Sequence, residues 1–124
     1  MTAGTPPRLP FGRKMRLKQA RDFSRVRSDG RRLVCGCFIA NWRVLASGTP
    51  QRLGVITAKK LGNAVVRARA RRLLREVFRL HQHDLSQPVD LVLVAQRNIV
   101  GKRLVSVEND FMVMLRRAGL GKAN

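Results

Sequence analysis

Between Ala64 and Gln82 the chain commits to a helix with two incompatible faces. Wound at about 100° per residue, Val66, Ala70, Leu73, Leu74, Val77 and Leu80 gather on one side. Arg67, Arg69, Arg71, Arg72, Arg75 and Arg79 sweep across the other, diluted only by Glu76. The apolar stripe needs a core. The arginine face repels itself, because like charges one turn apart cost about 0.2–0.5 kcal/mol per pair. Any fold of this chain must therefore bury one side of the helix and leave the other open to something negative.

The flanks sharpen the constraint. Asn63 is a good N-cap residue, and Lys59-Lys60-Leu61-Gly62 before it reads as a loop. After the helix, Pro88 precedes Val89-Asp90-Leu91-Val92-Leu93-Val94-Ala95, a short apolar run suited to a strand covered on both faces. Upstream, residues 19–27 form a short helix with Phe23 and Val26 on one face. The run 33–45 is β-like, Ala46-Ser47-Gly48-Thr49-Pro50 is a turn, and 52–58 is a second β-like run; together they suggest an antiparallel pair. Leu104 to Ala118 keeps helical spacing through Val107, Phe111, Met114 and Leu115, and Gly119 closes it. The order is helix, strands, helix, strand, helix: one α+β domain of a sheet with packed helices. We divide the chain into a basic N-terminal arm (1–15), the domain (16–119) and a short tail (120–124).

Charge then narrows the partner. The 124 residues hold 26 Lys and Arg against 7 Asp and Glu, a net +19, far beyond what solubility asks of a small domain. A polyanion is the natural compensation, nucleic acid foremost. Arginine's excess over lysine favours bidentate phosphate contacts and stacking on bases. A membrane-surface helix is the competing use of a basic amphipathic segment, but here the apolar face is committed to a core. Composition leaves RNA and DNA both open. No apolar run reaches the roughly 18 residues of a membrane helix, and the N-terminus lacks a signal-peptide core, so a cytoplasmic location is expected.

Catalytic constellations are missing. The carboxylates are scattered, no Walker-type glycine loop occurs, and His81 and His83 read as solvated or RNA-facing. Cys35 and Cys37 read as reduced packing residues, without the partners a zinc site needs. Phe38 and Trp42 read as core; for Phe23, core packing and contact with an unstacked base stay equally open.

The run from Leu53 through Lys59-Lys60-Leu61-Gly62-Asn63 and Arg67-Ala68-Arg69-Ala70-Arg71-Arg72 to Glu76 resembles the protein subunit of bacterial ribonuclease P. Arg16-Leu17, Asp22-Phe23-Ser24-Arg25-Val26 and Asp90 to Ala95 extend the likeness over about residues 9–118. The resemblance implies an α-β-β-β-α-β-α fold with a mixed central sheet, similar to the second domain of a small-subunit ribosomal protein. It also implies a left-handed βαβ crossover, an exception to the right-handed rule. It implies an accessory role in an endonuclease that frees the tRNA 5′ end, with catalysis carried by an RNA subunit through Mg²⁺ held mainly by that RNA. Its partners would be the catalytic RNA and precursor tRNA, with no membrane and no stable protein partner. By the same resemblance Lys59, Lys60, Asn63, Arg67, Arg69, Arg71, Arg72 and Arg75 would face the catalytic RNA. Arg16, Phe23, Val26 and Arg27 would belong to a cleft for the single-stranded 5′ leader. The family's pattern has Asn at position 68, a larger aliphatic residue at 70 and commonly an aromatic at 27, where this chain has Ala68, Ala70 and Arg27. The alternatives are a structural RNA-binding protein of ribosomal or assembly type, and a DNA-binding module.

Overall fold

A computed structural model describes residues 11–122. The main elements are α1 (Ala20–Asp29), β1 (Arg31–Cys35), β2 (Phe38–Val44), β3 (Arg52–Ile56), α2 (Ala64–His81), β4 (Val89–Ala95) and α3 (Leu104–Ala118). The strands form one mixed sheet in the order β1-β2-β4-β3. β1 and β4 flank β2 antiparallel, and β3 runs parallel to β4. The parallel β3–β4 pair, joined through α2, is the expected crossover.

Two strand expectations need correcting. The run 33–45, read from its residues as one β-like stretch, is two strands, in agreement with the α-β-β-β-α-β-α order the resemblance implied, because Gly36 takes φ 59° and allows a two-residue hairpin between the paired Cys35 and Phe38. Asp110 of α3 secures this turn, accepting the Cys37 backbone N–H at 3.0 Å. The run beginning at Arg52 does not pair with the strand before it. β4 inserts between them, burying a strand apolar but for Asp90 at the sheet centre where both faces can be covered.

Side-chain alternation divides the sheet into two faces. Phe38, Ala40, Trp42, Leu53, Leu91 and Leu93 point to the side closed by α2 and α3, where Leu74, Val77, Phe78, Phe111 and Met114 complete the main core. Val92 points the other way, to a small cluster with Leu17 and Val26 beneath α1. Cys35 and Cys37 are free and buried in the main core. Burial foremost, with Asp110 beside it, raises both thiols and takes Cys37 to about 12.

Described residues on either side of the main elements pack against the domain. Phe11 and Met15 pack on the main core, and Phe11 meets Phe78 edge to face at 5.8 Å. Leu120 is buried, and Gly121 bridges to Leu85. The rest of the arm, residues 1–10, and residues 123–124 lie outside the described residues.

Candidate nucleic-acid interface

α2 begins as its sequence requires. Asn63 Oδ1 accepts the Val66 backbone N–H at 3.0 Å, satisfying one of the helix's unpaired first-turn donors. Ala70, Leu74, Val77 and Phe78 are buried, and the arginines emerge along the opposite side. They emerge unevenly. Arg69 and Arg72 are exposed, whereas Arg67, Arg71, Arg75 and Arg79 are half-buried among their neighbours.

Several of these guanidiniums are held in place. Arg71 Nη1 donates to Thr57 Oγ1 at 2.7 Å, and Arg69 Nη2 donates to the Lys102 carbonyl at 2.9 Å. Arg79 forms a two-pronged pair with Glu76, both bonds at 2.8 Å. Arg67 keeps a buried Nε without a hydrogen-bond partner among the described residues. Burial depresses the Arg75 pKa, and the charges of Arg16 and Arg71 push it the same way. Such crowding is unfavourable until an anion arrives.

Arg16 belongs to this surface. Expected in the cleft beside Phe23, it instead lies with its guanidinium carbon 5.0 Å from the Phe11 ring centroid, facing α2. The cause is backbone pairing. Arg16 bridges to Leu53 on the free edge of β3, and Leu17 N–H donates to the Leu53 carbonyl at 2.9 Å. The segment therefore turns Leu17 beneath α1 and leaves Phe11 and Met15 on the α2 side. A groove of about 500 Å³ separates Phe11 and Arg16 from Arg71, Arg72 and Arg75, with Ala68 in its lining.

The other sheet face carries a second surface of different chemistry. Val34, Ile39, Val94 and Ile56 lie opposite one another in register, an apolar row across all four strands. α1 covers only part of it. A cavity of about 510 Å³ opens over Ile39 and Val94, with Lys60 and Arg97 in its wall. Phe23 of α1 lies on the same sheet face outside that cavity, half-buried against the Leu17–Val26–Val92 cluster. Gly54 makes room for it: a Cβ there would lie 2.5 Å from Phe23 Cε1. Val26, also expected in this cleft, is 1% exposed and belongs to the packing under α1, out of a ligand's reach. Arg27 is exposed on the last turn of α1. Lys59 and Lys60 are exposed on a short 3-10 helix before α2, anchored by Leu61.

α1 is positioned by a buried charge. Asp90 is 2% exposed at its side chain and takes both bonds of an Arg52 fork, at 2.9 and 3.0 Å. Arg52 also reaches Asp22 of α1 at 3.7 Å. His81 proves equally structural, against the expectation of a solvated or RNA-facing ring. Its Nδ1 lies 2.7 Å from Asp84 and its Nε2 2.7 Å from Glu108, tying the end of α2 to α3. Burial lowers its pKa, but the two carboxylates outweigh burial and raise it above the ordinary value. His83 is exposed.

Sequence reasoning missed Ile39, Val94, Ile56 and Arg97 as surface elements. The period-two alternation of β4 carried a usable signal, since it places Val92 and Val94 on one face.

The same chain length and architecture recur elsewhere. The sequence pattern of the ribonuclease P family matches residues 11–119. The ribonuclease P protein component of Syntrophomonas wolfei is 34% identical over 112 residues, covering 90% of this chain and 93% of its own. That of Gluconacetobacter diazotrophicus is 35% identical over 109 residues, covering 87% and 94%. Among solved structures, the Staphylococcus aureus RNase P protein superposes with a TM-score of 0.75 at 25% identity, covering 87% of this chain and 98% of that one. The Thermotoga maritima RNase P protein gives 0.72 at 25% identity, covering 82% and 96%.

Proposed function

The chain belongs to the ribonuclease P protein family, and on that premise we propose that its two surfaces divide the labour of the ribonucleoprotein: α2 docks on the catalytic RNA, and the half-roofed sheet face takes the 5′ leader of precursor tRNA. As the protein subunit of ribonuclease P, it works with an RNA that carries the chemistry. The protein's contribution is binding and orientation.

The observation that carries the division is the contrast in lining. Along α2 the groups are guanidiniums held by Thr57 and the Lys102 carbonyl, suited to phosphates fixed in a folded RNA. Over the sheet the floor is Ile39 and Val94, with Lys60 and Arg97 in the wall, and Phe23 packs elsewhere on the same face. An apolar floor takes unstacked bases, the cations in its wall follow their backbone, and Phe23 on the same sheet face offers a ring to stack on, the usual pairing for single-stranded nucleic acid. Lys60, expected on the catalytic-RNA side, stands in the wall of this second surface and can serve either strand.

Mg²⁺ belongs, on this reading, with the RNA. Among the described residues no three metal-ligating side chains converge. No described helix is long and apolar enough to cross a membrane. The site of action we propose is the cytoplasm.

Reconstitution with a bacterial ribonuclease P RNA at low Mg²⁺ tests both halves. The protein should stimulate 5′ processing, and the assembled enzyme should bind precursor tRNA more tightly than mature tRNA. Stimulation with equal affinity for the two would remove the leader role. No stimulation would favour a purely structural RNA-binding protein.

A further inference from the structure

The groove between residues 11–16 and α2 is more than one more stretch of basic surface. It encloses about 500 Å³. Its walls carry three chemistries. The Arg16 guanidinium, lying over the Phe11 ring, offers a flat cationic face of the kind on which nucleobases stack. Arg72 and Arg75 line the opposite side, and Arg75 is crowded by Arg16 and Arg71 until negative charge relieves it. Glu76, held by Arg79, brings carboxylate oxygens that can accept from a base amino group. Between them Ala68 leaves the space open, where a longer side chain would fill it.

We infer that this groove seats one unstacked nucleotide of single-stranded RNA, its base on the Arg16 guanidinium and its phosphate between Arg72 and Arg75. The assignment rests on the ribonuclease P reading above. A flat cation, an anion clamp and an acceptor within one recess of nucleotide size match the parts of a single nucleotide. A helix face docking on duplex backbone would need the cations alone. The nucleotide can come from the catalytic RNA or from the leader, and the same recess serves both.

The test is 2′-hydroxyl acylation mapping of the assembled enzyme, with bacterial ribonuclease P RNA alone and then with precursor tRNA. Wild-type protein is compared with Ala68→Leu, which fills the recess with a good helix former, and with Arg16→Gln, which removes the stacking face from outside the helix. One unpaired nucleotide should be protected by wild type and regain reactivity with both variants, while other protections along α2 persist and affinity falls about tenfold. Protection before precursor is added assigns the nucleotide to the catalytic RNA. Protection within the leader assigns it there. Identical reactivity for wild type and both variants overturns the proposal while leaving the docking of α2 intact. Absence of any protein-dependent protection, with no stimulation of cleavage, overturns the ribonuclease P reading as well. Should Ala68→Leu lose its helical circular dichroism, Arg16→Gln decides alone.

Discussion

On one side of β4, Leu91 and Leu93 are sealed beneath helices of 18 and 15 residues; on the other, Val92 is sealed but Val94 is only half covered, by a helix of 10. The sheet is the same, and the strands alternate regularly through both faces. What differs is the roof. The long helices close a continuous aliphatic core with three phenylalanines in it. The short one stops early and leaves the Ile39–Val94 stretch open. Hydrophobic residues on the closed side stabilise the fold; residues of the same type on the open side remain available to a ligand.

The largest expected effect lies on the closed side. Phe111→Ala removes a fully buried ring and should cost about 3–5 kcal/mol in denaturant unfolding. A loss below about 1 kcal/mol would mean the closed face is not the stabilising one.

Salt separates the two surfaces next. If the arginine face neutralises about six phosphates, binding to the catalytic RNA should fall with a log–log slope near −4 to −5. The preference for precursor over mature tRNA, resting on an apolar floor, should change far less. Equal salt sensitivity of both would erase the contrast.

Gly54→Ala probes the open side alone. The added methyl collides with Phe23 and should push its ring from the sheet. We expect the precursor preference to drop about tenfold, the value of one stacked base, with catalytic-RNA affinity kept. Loss of both would show that α1 and α2 move together.

The smallest effect is a pH dependence confined to the closed side. His81 has a raised pKa when folded, so its contribution is complete below its unfolded value of about 6.5 and is lost as pH rises through the folded pKa. Denaturant midpoints from pH 6 to 9 should therefore decline more in wild type than in His81→Gln. Parallel declines would remove the Asp84–His81–Glu108 link from the account.

Much of this architecture is legible in the amino-acid sequence. α3 and β4 begin and end where their spacing places them, and α2 ends one residue before the expected Gln82. These elements carry long unbroken periodicities with caps, so local physics decides them. The hairpin at Gly36 is not legible, because Cys-Gly-Cys inside an apolar run carries no strong turn signal. Arg16 and His81 depart from their expected places for one shared reason: each is governed by a distant partner, Leu53 for one and Glu108 for the other.

By itself, then, the sequence determined that one helix must be apolar on one side and cationic on the other, that a buried strand follows it, and that the partner is a polyanion. Those properties reside in residues a few positions apart and need no fold to be read. Only the tertiary structure decided that β4 enters between β2 and β3, that Arg16 crosses to the arginine face, and that α1 leaves part of the sheet bare. Each depends on which segments far apart in sequence share backbone hydrogen bonds, and on how much apolar surface their helices are long enough to cover.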